Sequence, residues 1–254
     1  MIKDDGMIKR RDLLKILPII FITLYRRYDL LLSEVGRTLP IAELFLQNIF
    51  SGNPSRKETK VVMVLFGMME IVVFNLLYGS LIYRDLYESS AYIFVRQKSR
   101  RRWFAGKSLE LLAYSAVYNL LFIGITFSLC VWRSDQRLDA VAVKIVILTY
   151  ILATLFTFWT TLLINLTAIL AGAAMSFVIN YVALSFLSLF AVGFETISIV
   201  NKFPLLLKLN PVANVTINWK CDMESAALSV MYFVVLCVLT SMGGSMVIAH
   251  KDIV

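Results

Sequence analysis

The chain has 254 residues, 59% of them hydrophobic, a formal net charge of +8 and a mean hydropathy of +0.77. Soluble domains average about 45–50% apolar residues, so a water-soluble globular fold is excluded and an all-α, polytopic integral membrane protein is expected. The Lys and Arg all lie outside the long apolar runs, which points to inside-facing loops and anionic lipid headgroups rather than to nucleic acid.

Met1–Asp12 is polar, so no cleavable signal peptide is expected. A membrane crossing needs about 20 apolar residues. The first candidate, Leu13–Tyr25, reaches only about 20 Å. Extension to Leu32 supplies the length and takes in Arg26, Arg27 and Asp29, which snorkel to the headgroups from one end. Arg26–Lys60 follows as a long outer segment with a helix-like patch around Ile41–Ile49 and a turn at Ser51–Pro54. Five stronger runs come next: Val61–Tyr83, Leu111–Trp132, Ile145–Leu170, Phe177–Val200 and Ala226–Ala249. The third and fourth of these are separated only by the small-residue turn Ala171–Ser176. With the segment 13–32 they make six predicted transmembrane helices in one domain, 1–254.

Orientation follows from the segment 84–107, which carries seven Lys/Arg against two acids. Short loops this basic stay on the cytoplasmic side. If Leu13–Leu32 did not span, eleven Lys/Arg of the N-terminal region would lie outside; if it spans, the five in residues 1–15 move inside. Six spans with both termini cytoplasmic is therefore the expected arrangement. On the outer side, Arg133–Lys144 is short and mixed in charge. Asn201–Ser225 contains Phe203–Leu207 and Asn210-Pro211, too short to span and too apolar for an open loop, so it is expected to dip into the outer leaflet.

Little enzymatic chemistry is available. The single histidine, His250, excludes His-based zinc sites and Ser-His-Asp constellations. Cys130 and Cys237 sit in apolar runs and Cys221 in a loop, reading as small core residues without a disulfide framework. Gly106-Lys107-Ser108 resembles the end of a phosphate-binding loop, but Arg101 stands where the first glycine is required. The chain is expected to bind no ATP, metal or cofactor itself.

The polar candidates for a translocation pathway are Glu70, Asn75, Thr157, Asn165 and Asn180. Glu70 lies near the middle of its span, where a carboxylate is costly and either lines a cavity or locks helix packing. Asn75 is about 140° round the helix from it, on another face. Thr149, Ala153, Thr157, Thr160, Thr161, Ile164 and Ala168 form one face of the fourth span, a pattern that favours close helix packing over a conducting stripe. Asn165, Asn180, Ser185 and Ser188 offer further polar contacts, and Gly243-Gly244-Ser245 invites close approach near the end of the last span. Glu110 is set three residues beyond Lys107 for a local ion pair.

Four features carry a family resemblance. They are six spans with both ends inside; a cytoplasmic segment reading Glu88-Ser89-Ser90-Ala91-Tyr92, then Arg96–Trp103, then Lys107; a proline-bearing apolar outer segment, Leu207–Pro211; and a chain end close behind the last span, His250–Val254. In these the chain resembles the permease subunit of an ABC transporter of the ABC-2 exporter type, and in its small size the bacterial peptide-export or immunity permeases. The resemblance implies a multi-pass protein of the bacterial plasma membrane that works with a separate ATPase subunit, which carries ATP and Mg, and with a second permease chain. It implies a short helix at Arg84–Val95 seated in a groove of the ATPase, with Arg84, Asp85, Glu88, Tyr92, Arg96, Lys98, Arg100, Arg101, Arg102, Trp103 and Lys107 as the interface. The basic run serves equally as an anchor on lipid phosphates, and Trp103 as an anchor at the membrane interface. Two other readings stay open: a membrane-embedded enzyme using Glu70, and an immunity or scaffold protein that acts without ATP.

Overall fold

A computed structural model describes residues 20, 21, 23–25, 38–49, 68–88, 99–196, 208–216 and 223–250. Every element among them is helical: α1 (Ile41–Ile49), α2 (Met69–Tyr78), α3 (Leu81–Glu88), α4 (Arg100–Arg133), α5 (Ala140–Ala171), α6 (Ala173–Thr196), α7 (Pro211–Thr216) and α8 (Met223–His250). Residues 20–21 and 23–25 are helical as well. The expected all-α class holds, and α4, α5, α6 and α8 are long and apolar enough to cross a membrane. The first predicted span, 13–32, and the start of the second, 61–67, lie largely outside the described residues.

Hydrogen bonds and close contacts fix the helix directions. α4 and α5 are antiparallel: the Ser115 hydroxyl donates to the Thr154 carbonyl at 2.9 Å, while Phe104 and Leu166 meet against Gly244. α8 runs parallel to α5, since Trp159 Nε1 donates to Thr240 Oγ1 at 3.2 Å and Leu166 meets Gly244 further along. α2 and α3 also run with α5, through Thr161 to Asn75 and Ile82 to Asn165. α6 runs against α2, through Tyr181 to Val72 and Ser188 to Met68. The segments 69–88, 100–133, 140–171, 173–196 and 223–250 thus alternate in direction.

α5 is the central helix. Its most apolar window is 44% buried, against 17% for α6 and α8. With no water to drive apolar faces together, packing and interhelical hydrogen bonds hold such a bundle. The predicted threonine face is where α5 packs: Thr149, Thr157, Thr160, Thr161, Ile164 and Ala168 are all buried. Gly244 lies so close to α4 and α5 that a Cβ there would stand 2.5 Å from Phe104 Cζ and 2.7 Å from Leu166 Cδ2. Gly243, expected to pack equally closely, has open space beside it.

Several boundaries differ from the sequence expectation. The turn expected over Ala171–Ser176 shrinks to one residue: Gly172, with φ 86°, separates α5 from α6. That left-handed conformation suits glycine. The basic segment 84–107, read as a loop, is helical at both ends, because α3 covers Leu81–Glu88 and α4 begins at Arg100. Arg is a good helix former, and Ser99 caps α4 by accepting from the Arg102 amide. At 34 residues α4 is about 51 Å long, so its basic first turns reach past a hydrocarbon core of about 30 Å.

At the opposite end α1 packs on α4 and α5. Ile41, Leu44, Phe45 and Ile49 join Phe122, Ile123, Cys130 and Ile145 in one apolar cluster, and Ser134 ties in by donating to the Leu39 carbonyl at 3.0 Å. The proline-bearing segment before α8 also forms structure. Asn210 Oδ1 caps α7 by accepting from the Val212 amide at 2.9 Å, its Nδ2 donates to the Leu187 carbonyl of α6, and Val212, Ala213 and Val215 are buried.

Candidate functional site

The apolar run Val61–Tyr83 does not end as an unbroken helix. Gly79 and Ser80 separate α2 from α3, and a Cβ at Gly79 would stand 2.9 Å from Phe177 Cζ and 3.0 Å from Ile164 Cγ2. Only glycine allows α5 and α6 so near the chain at this point. A helix break inside a membrane leaves main-chain groups that must find partners within the protein. Asn165 of α5 provides them. Its Oδ1 accepts from the amides of Ile82 at 2.8 Å and Tyr83 at 3.4 Å, and its Nδ2 donates to the Tyr78 carbonyl at 3.1 Å.

A buried polar seam runs from this clamp along α5. The Thr161 hydroxyl donates to Asn75 Oδ1 at 2.6 Å. Further along, Asn119 Nδ2 of α4 donates to Thr157 Oγ1 at 3.3 Å and to its own helix at the Ser115 carbonyl. Asn75, Asn119, Thr157, Thr161 and Asn165 are all buried. The structure therefore brings together three of the five pathway candidates, Asn75, Thr157 and Asn165. Asn180 stands apart, donating to Thr167 Oγ1 at 2.7 Å and bracing the α5–α6 hairpin. Glu70, buried with 3% exposure, lies beside Tyr118, whose hydroxyl donates to the Glu70 main-chain carbonyl. Asn119 and Tyr181 were missed as site residues, though a lone amide inside an apolar run was a usable signal at Asn119.

The other end of α3 is held by charge. Lys107 Nζ pairs with Asp85 Oδ2 at 2.7 Å and with Glu110 Oε2 at 2.8 Å. Burial alone would lower the Lys107 pKa, but the hydrogen bonds and charges of Asp85 and Glu110 outweigh it and raise the pKa above 10.5. The ammonium stays charged at neutral pH. The Tyr114 hydroxyl donates to Glu110 Oε1 at 3.1 Å, and the Tyr114 ring stacks on Tyr78 at 5.0 Å. Tyr78 is the last residue of α2, so this chain of contacts returns to the helix break.

Among the expected interface residues, Arg84, Arg101 and Arg102 are exposed, Arg100 is half-buried and Trp103 is buried at 5% exposure. Trp103 thus belongs to the core and is not presented outward. Lys107 is committed to acids of its own chain. Glu88 closes α3, while Tyr92, Arg96 and Lys98 lie outside the described residues.

No group of three or more His, Cys, Asp or Glu residues that could hold a metal ion occurs among the described residues. The arrangement offers a buried, uncharged hydrogen-bonded seam joined to a charged and basic helical end. No family model matches the chain, and no curated protein or solved structure matches it.

Proposed function

We propose that the chain is the membrane-spanning permease subunit of an ATP-driven exporter, moving its substrate across a bacterial plasma membrane with energy from a separate ATPase subunit. The observation that carries this reading is the rigid attachment of α3. It is clamped at its start by Asn165 and near its end by the Asp85–Lys107 pair. A force applied to α3 therefore passes directly to α4 and to the central α5, the kind of rigid-body linkage that a switch between two states requires. Arg84, Arg101 and Arg102 are exposed at the same end and give an acidic groove of a partner a surface to grip.

In this reading six spans place both termini in the cytoplasm, and ATP and Mg belong to the partner. A second permease chain completes the pathway, and a peptide is the substrate class suggested by the chain's small size. Co-purification tests the reading. A tagged chain is expected to bring down an ATPase with a phosphate-binding loop, and ATP hydrolysis by that partner is expected to drive transport in proteoliposomes. If no ATPase is retained and none drives transport, the reading fails.

A further inference from the structure

Between α2, α5 and α6 lies a cavity of about 80 Å³. Asn75, Phe156, Tyr181, Ser185, Ser188 and Met68 contribute to its lining, and no charged residue does so among the described residues. Asn75 is fully buried. Its Oδ1 accepts from Thr161, but its Nδ2 has no hydrogen-bond partner among the described residues. The Tyr181 hydroxyl donates to the Val72 carbonyl at 3.3 Å and turns its oxygen toward the Asn75 amide, a contact too loose to satisfy the amide alone.

A buried amide N–H without a partner is costly, and natural structures satisfy such groups from the protein or from ordered water. Water enters a cavity when it has room and two to four polar partners; wholly apolar cavities stay dry. At about 30 Å³ per molecule in the liquid, this one has room for two or three waters. Asn75 Nδ2 and the oxygens of Tyr181, Ser185 and Ser188 supply the partners. Ser188 Oγ donates to the Leu184 carbonyl at 2.7 Å, which leaves its own oxygen able to accept.

We propose that this cavity is a hydrated recess inside the membrane, a binding site for water anchored on Asn75 and for neutral groups of hydroxyl or carbonyl size that can displace that water. An ion finds no compensating charge among the described residues lining it. Because Asn75 also bonds Thr161, occupants of the recess touch the polar seam directly. The recess depends on no ATPase, so its test can fail without bearing on the permease reading.

The test uses the full chain in membrane vesicles, with native cysteines retained and modification resolved by site with mass spectrometry. The probe is methyl methanethiosulfonate, whose sulfenyl sulfur the thiolate attacks, releasing methanesulfinate, so that reaction requires water to ionise the thiol. Ser188→Cys is expected to react at least tenfold faster than Val182→Cys, which lies on the same helix with 51% of Val182 exposed to the surroundings of the bundle. Adding Asn75→Leu to Ser188→Cys is expected to slow the reaction about tenfold. Hydroxyl-radical footprinting of the unaltered chain reads the same site without substitution: Met68, in the recess, is expected to oxidise faster than Met231, which is 66% exposed on α8. Equal rates at positions 188 and 182, or slower oxidation of Met68 than of Met231, would overturn the proposal.

Discussion

The Asn165 side chain accepts a hydrogen bond from the Ile82 main-chain amide at 2.8 Å, across 83 positions of sequence. Together with the bond from Asn165 Nδ2 to the Tyr78 carbonyl, it lets one residue of α5 satisfy both sides of the α2–α3 break. Asn165→Leu removes both and strands buried main-chain groups, at a cost of about 1–3 kcal/mol. Asn165→Asp keeps the acceptor and loses the donor, so it is expected to fall between. Thermal unfolding of the purified variants in one detergent checks the order, and a leucine variant as stable as the parent would remove the clamp from consideration.

The pair of Asp85 and Lys107 is partly exposed, with side chains 30% and 25% accessible. A double-mutant cycle with Asp85→Asn and Lys107→Met is therefore expected to give a coupling of about 0.5–1 kcal/mol, smaller at high salt. Folding raises the Lys107 pKa, so this contribution is fully present below the ordinary lysine value of 10.5 and is lost as pH rises through the folded value. Unfolding measured between pH 7 and 9 should show no change in the coupling.

The neighbouring glycines of α8 are expected to behave oppositely. Gly244→Ala drives a methyl group into Phe104 and Leu166, and Phe104 is itself buried, so overpacking costs about 1–3 kcal/mol. Gly243→Ala meets nothing within 4 Å and gains helix propensity, stabilising by up to about 1 kcal/mol. Comparing the two melting temperatures decides the matter; equal losses would contradict the contact at Gly244.

Topology is open to direct measurement. Ser99 and Gln136 lie at opposite ends of α4 and are both exposed. In intact cells Ser99→Cys is expected to resist a membrane-impermeant maleimide, whereas Gln136→Cys reacts. The reverse pattern would invert the orientation and with it the permease reading.

What could be read from the chain depended on the range of each interaction. Runs without Lys or Arg marked four of the membrane-length helices, and the i, i+4 spacing of Thr157 and Thr161 marked a packing face, because both signals are local. The Lys107–Glu110 pair was legible at i, i+3 for the same reason, while its other partner, Asp85, was not. Asn165 looked like one polar residue among several, since its partners lie more than 80 positions away and a helix break has no signature in an unbroken apolar run. The start of α4 is hidden because its arginines signal charge more plainly than helix propensity. Trp103, set among those charges, reads as a surface residue, although its helix turns it inward.

The reversal at Gly172 has a mechanical consequence. A one-residue corner leaves no slack between the two helices it joins, and Asn180 crosslinks them about two turns further on. α5 and α6 must therefore swing as a single lever, so whatever displaces the clamp at Asn165 carries the outer wall of the bundle with it.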